Sequence, residues 1–74
     1  MSSHWPSCKA RRVYRALLKA GWTEKSSAKS GSHIQLIHSD FDHEFTWAFH
    51  DSAEIGPKML ARIAKSTGLT PKDL

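Results

Sequence analysis

Two alternating runs, joined by five residues of turn chemistry, constrain this chain more than anything else in it. HIQLIH (33–38) and EFTWAF (44–49) place apolar side chains at every second position, and SDFDH (39–43) lies between them. A period of two suits a strand and not a helix, and two such runs so close together predict an antiparallel hairpin. Ile34 and Leu36 then share one face of the first strand, while His33, Gln35 and Ile37 share the other. In the second strand Phe45, Trp47 and Phe49 share a face.

A different period flanks the hairpin. Ala10, Val13, Tyr14, Leu17 and Leu18 recur at three- and four-residue steps, which predicts an amphipathic helix over residues 8–20. Ser7 is placed to cap it and Gly21 to end it in a left-handed turn. Lys9, Arg12, Arg15 and Lys19 fall off the apolar stripe. Downstream, Met59, Leu60, Ile63 and Ala64 form a second helical stripe, with Pro57 in its first turn and Gly68 at its end. Thr70-Pro71 is placed to cap a last turn through Leu74. Trp22-Thr23 suggests a short edge strand, and Ser30-Gly31-Ser32 a turn. The predicted order is helix, two or three antiparallel strands, helix. The fold class is α+β, one sheet with both helices on its apolar face, because so small a sheet cannot leave its aromatics in water. Residues 1–7 are expected to form a loose tail and residues 8–74 one domain.

At 74 residues the core is thin, and a partner that adds surface would help it. Cys8 is the only cysteine, so no intrachain disulfide forms and a reducing, cytoplasmic setting is expected. No apolar run approaches the length of a membrane span, and MSSHWPS lacks the features of a signal peptide. Lys+Arg 11 against Asp+Glu 7 gives a net charge of +4. Such a balance suits a polyanionic partner, and it equally suits plain solubility.

The chemistry is expected from the histidines. If the hairpin pairs Leu36 with Trp47 and Ile34 with Phe49, His33 lies opposite His50 on the face away from the helices, conditional on register. Imidazoles there suit cleavage of RNA through its 2'-hydroxyl, where a base takes the proton, the oxygen attacks phosphorus, and an acid protonates the leaving oxygen. That reaction needs no metal or cofactor. Lys29 is near in sequence to steady a phosphate, and the Gly31-Ser32 turn lets one approach backbone N–H groups. A lone surface histidine is more often incidental, however, and His50 suits a loop as well. His38 and His43 flank the turn and are expected to bond locally. The five histidines match no zinc spacing, and Cys8 alone cannot complete a site. Cys8 at a helix start is a candidate activated thiol, but no Cys-His pairing is evident.

Taken together, Ala20-Gly21-Trp22, Gly31-Ser32-His33-Ile34, the second strand through Phe49-His50, and the closing run Ile63-Ala64-Lys65-Ser66-Thr67-Gly68-Leu69-Thr70 resemble the HicA family of toxins, the ribonucleases of toxin–antitoxin pairs. The likeness runs from Lys9 to Leu74. Ala48 stands where the family often has proline, and Lys58 where a glycine commonly opens the second helix. The resemblance implies a fold like a double-stranded-RNA-binding domain, α-β-β-β-α. It also implies metal-independent cleavage of mRNA with His33 as the catalytic residue, and neutralisation by a HicB-type antitoxin. Beside what the resemblance implies, Gly31 and Ser32 are expected to shape the turn before His33, Lys29 and His50 to assist with the phosphate, and the basic side chains Arg11, Arg12, Arg15, Lys58 and Arg62 to attract RNA. The rival readings are a non-catalytic RNA-binding module of the same fold and an inactive chain that still binds an antitoxin.

Overall fold

The computed structural model describes residues 5–25 and 33–74. Strand β1 (Cys8–Lys9) leads into helix α1 (Ala10–Lys19). Then come β2 (Thr23–Glu24), β3 (Ile34–Ile37), β4 (Phe45–Trp47), β5 (Glu54–Ile55) and α2 (Pro57–Thr67), with a 3₁₀ turn at Pro71–Asp73. β2, β3 and β4 form an antiparallel sheet in that order, and β1 pairs with β5 in a second, two-stranded sheet. Both helices lay their apolar residues on one face of the larger sheet. Val13, Ala16 and Leu17 of α1 and Leu60 and Ile63 of α2 are buried with Leu36 and Trp47 in a single core. The expected α+β architecture is therefore present, and the β1–β5 pair adds to it.

That added pair moves the start of α1. The first helix opens at Ala10 rather than residue 8, its N-cap is Lys9 rather than Ser7, and no side chain caps it. Pairing with Glu54–Ile55 holds residues 8 and 9 extended, with Lys9 at ψ 145. The first helical N–H groups still need acceptors. Ala10 N–H donates to the Ala53 carbonyl (2.8 Å) and Arg11 N–H to the Asp51 carbonyl (3.2 Å). Backbone 40 to 43 residues downstream thus replaces a local cap. Cys8, also a core residue, is buried with it.

The other end of α1 closes as a Schellman motif. Gly21 at φ 109 donates to Leu18, and Trp22 N–H reaches back to Leu17 at 3.0 Å. This turn drops Trp22 into the core, where it is wholly buried and its indole N–H donates to the Thr67 carbonyl at 3.2 Å. His38, Phe41, His43 and Phe45 surround it, with ring centroids 5.0 to 6.4 Å away. The two histidines then bond beyond the hairpin. His38 Nε2 meets the Ala20 carbonyl at 2.9 Å and His43 Nε2 the Ser66 carbonyl at 2.7 Å. Carbonyls only accept, so each ring donates from Nε2; His38 Nδ1 in turn accepts the Asp40 N–H at 3.0 Å. The loop is pinned across the C-terminal ends of both helices, where unpaired carbonyls and the negative dipole end favour a donor.

The hairpin register differs from the expected one. Ile34 faces Trp47, Gln35 faces Thr46 and Leu36 faces Phe45, a shift of two residues from Leu36 opposite Trp47. Both cross-strand pairs remain apolar, and the side-chain faces are unchanged because the slip is even. Phe49 lies beyond the paired residues and packs half-buried on Trp47, 5.1 Å between centroids. Two residues assigned to the helical stripes stay in water instead: Leu18 is 42% exposed and Met59 38%. At the C-terminus the expected last turn is present, with a Thr70–Asp73 capping box.

Candidate functional site

His33 stands at the mouth of β3 and is exposed. Leu36, two residues from Ile34 on the helix-facing side, is fully buried, so alternation turns Gln35 and His33 to the open face. Continuing the observed register by one step puts His33 level with Ala48, not with His50. His50 lies past the end of β4 and opens the turn in which Ala53 N–H bonds its carbonyl at 2.9 Å. Cross-strand pairing of the two imidazoles is thereby overturned, since it required a register shifted by two residues. Lys29, Gly31 and Ser32 lie outside the described residues.

The open face carries a polar row that the expected site did not include. Thr46 Oγ1 donates to Gln35 Oε1 at 2.8 Å, next along the face from His33. Lys25 reaches over the sheet to Glu44 at 2.6 Å. That contact commits the Lys25 charge, so it is not a spare cation for a phosphate. The signal was present in the period: Gln35 and Thr46 are polar at the parity that His33 defines. Ile37, 39% exposed, completes the face.

The five cations assigned to RNA are all exposed, and they divide into two groups. Arg11, Arg12 and Arg15 share a cleft of about 480 Å³ with Lys9 and Glu54 at the start of α1. Four cations there face one carboxylate, and Lys9 sits 3.6 Å from Glu54. Lys58 and Arg62 lie on α2, where Arg62 lines a cleft of about 340 Å³ with Phe45, Thr46 and Phe49. Both helices cover the sheet face opposite the one that exposes His33, and His33 lines none of these clefts. The helix cations therefore form flanking surfaces, not part of a pocket around the imidazole.

Among the described residues two titratable groups depart from their ordinary behaviour. Burial pushes the Cys8 thiol up, the nearby Arg12 offsets part of that, and Glu54 adds to it. This is the reverse of activation, so Cys8 is a small core side chain and not a nucleophile. Tyr14 is pushed up to about 12 by burial first, then by its hydrogen bond to Glu24. That bond ties α1 to the β2 edge. Among the described residues no three of His, Cys, Asp and Glu converge as metal ligands, and no helix is long and apolar enough to cross a membrane.

No curated protein and no solved structure matches the chain. The family model described as HicA toxin of bacterial toxin–antitoxin matches residues 10–69. That span runs from the first residue of α1 to the buried Leu69, so it takes in both helices and all three strands of the larger sheet. The chain belongs to the HicA toxin family of bacterial toxin–antitoxin systems.

Proposed function

We propose that this toxin is a metal-independent endoribonuclease that cuts mRNA, with His33 as its catalytic residue and a HicB-type antitoxin as its inhibitor. The observation that carries the reading is the exposed imidazole at the mouth of β3, on the sheet face left free by the helices. A ribose-phosphate can approach it there without displacing any core element.

The reaction balances without water or a cofactor. A base removes the proton of the ribose 2'-hydroxyl, and that oxygen bonds to the adjacent phosphorus. The bond from phosphorus to the 5'-oxygen then breaks, and the leaving oxygen takes a proton from an acid. The products are a 2',3'-cyclic phosphate and a free 5'-hydroxyl. An imidazole is the side chain matched to either proton transfer near neutral pH. His33 fills one of the two roles, and His50, which lies past the end of β4 and not opposite His33, serves only as a supporting group for the phosphate. Lys29 and the Gly31-Ser32 turn, whose role rests on sequence alone, steady the phosphate charge. Arg11, Arg12, Arg15, Lys58 and Arg62 draw the polyanion to the flanking surfaces.

A non-catalytic RNA-binding module is the second reading, and the distribution of cations favours it to that extent: they sit on the helices, away from His33. Incubating wild-type and His33→Ala protein with RNA in EDTA separates the two. Cleavage should persist in EDTA and stop with the substitution, while RNA binding survives. Because His33 is exposed, the variant should fold with a change within about 0.5 kcal/mol. Undiminished cleavage by His33→Ala, or cleavage that EDTA abolishes, overturns the assignment. Binding without any cleavage in the wild type supports the module.

A further inference from the structure

We infer that the outer edge of β4, together with the groove beside it on α2, is a docking site for an extended segment of the antitoxin that carries alternating apolar and acidic side chains. The inference uses the family's protein partner and is independent of what His33 does. It starts from hydrogen-bond direction. Lys25 N–H donates to the Gln35 carbonyl at 2.8 Å, so the peptide groups of Gln35 turn toward β2. In an antiparallel sheet the next residues turn the other way. Ile34 and Leu36 therefore face β4, and their partners Trp47 and Phe45 face back. Thr46, between those two, must direct its N–H and carbonyl outward, away from β3. Among the described residues no strand pairs with that side of β4. An unpaired edge is a template for one more strand.

The groove next to this edge supplies side-chain pockets. The cleft of about 340 Å³ along Phe45, Thr46 and Phe49 meets a second of about 640 Å³ at Pro57 and Lys58, and the two share Met59 and Arg62. Met59 is 38% exposed there, although its neighbours Leu60 and Ile63 are buried. Lys58 and Arg62 rim the groove. The two ion pairs formed among the described residues use other cations, Lys9 and Lys25. An occupant thus meets three features at once: main-chain donors and acceptors, an apolar floor, and positive charge.

Only a protein strand with carboxylates satisfies all three. RNA would answer the charge but has no use for the strand edge or the Met59 floor. A second copy would bring Arg62 and Lys58 toward their own equivalents across a two-fold axis, in a chain already at +4.

The test is calorimetric titration of the full chain with its HicB-type antitoxin, with circular dichroism as the check on folding. Met59→Glu sets a carboxylate in the floor, and Thr46→Pro removes the outward N–H at an edge position that tolerates proline. Each should weaken binding at least tenfold. Leu18→Glu, on α1 and outside the groove, should leave affinity unchanged. The Thr46 amide should exchange with solvent in the free chain and become protected in the complex. The inference is overturned if Met59→Glu binds as wild type, if Thr46 exchanges equally in both states, or if Leu18→Glu weakens binding as much. It is also overturned if Met59→Glu acts instead by lowering RNA affinity or by dissolving a dimer of this chain. Since no RNA cleavage is read for the antitoxin arm, failure here is distinct from failure of the nuclease reading.

Discussion

Among the glycines of the described residues, Gly21, Gly56 and Gly68, substituting Gly21 by alanine should unfold this protein most readily. Gly21 holds φ 109, and a Cβ built there lies 2.6 Å from His38 Nε2. Two costs add. A backbone conformation reserved for glycine costs on the order of 1–3 kcal/mol when another residue must hold it. Moving the imidazole aside breaks its 2.9 Å bond to the Ala20 carbonyl, worth about 1 kcal/mol. The expected loss is roughly 2–4 kcal/mol. A chain of this length holds only about 4–11 kcal/mol in total, so the midpoint should fall by roughly 10–25 °C. Gly68→Ala is the comparison. Its φ of 75 is closer to the left-handed helical well, and its Cβ would meet only the Phe41 Cζ, at 3.2 Å, so about 1–2 kcal/mol is expected. The assay is urea or thermal denaturation of the single variants and of the Gly21→Ala, His38→Ala double variant. With the imidazole gone, the steric part of the cost vanishes, and the double variant should be about 1 kcal/mol or more better than the sum of the singles. Equal costs for Gly21→Ala and Gly68→Ala, or simple additivity with His38→Ala, would refute the claim that His38 pins the hairpin to the end of α1.

Three other outcomes are expected. Tyr14 holds its proton more tightly in the folded chain, up to about 12 against an ordinary 10.0; its contribution is complete below pH 10 and is lost as pH rises toward 12. Alkaline denaturation should therefore lose part of its pH dependence in that window in Tyr14→Phe, and an unchanged profile would count against the Tyr14–Glu24 tie. The Cys8 thiol, buried and pushed up, should react with a thiol reagent far more slowly in the native chain than in denaturant, and equal rates would show that β1 does not hold it inside. Replacing Arg11, Arg12 and Arg15 by alanine should weaken RNA binding and flatten its salt dependence by about 0.7 in log–log slope for each lost phosphate contact to a single strand; an unchanged slope would show that this cleft meets no phosphate.

Local rules in the sequence carried far, and their reach has a clear physical limit. Periods of two and 3.6, Pro57 at a helix start and Gly21 and Gly68 at helix ends are all properties of adjacent residues, so both helices, the hairpin and its faces could be read directly. The face of His33 was legible even with the wrong register, because alternation survives any slip by an even number of residues. His50 lost its place opposite His33 for the complementary reason: the exact partner depends on which residues form the loop, here the seven from 38 to 44. That length is set by His38 on Ala20 and His43 on Ser66, contacts 18 and 23 residues apart in the chain. The Gln35–Thr46 contact beside His33 has the same limit: parity puts both side chains on the open face, but only the observed register sets them opposite each other.

What the chain determined alone is therefore its element order, its apolar faces and the membership that those motifs announce. What tertiary structure decided is where α1 begins, how the hairpin is aligned and which cations share a surface. Cys8–Lys9 became a strand because Glu54–Ile55 came to lie beside them, and α1 found its first acceptors on Asp51 and Ala53. Such partners are brought together by burial of a common core, and no window of neighbouring residues contains them.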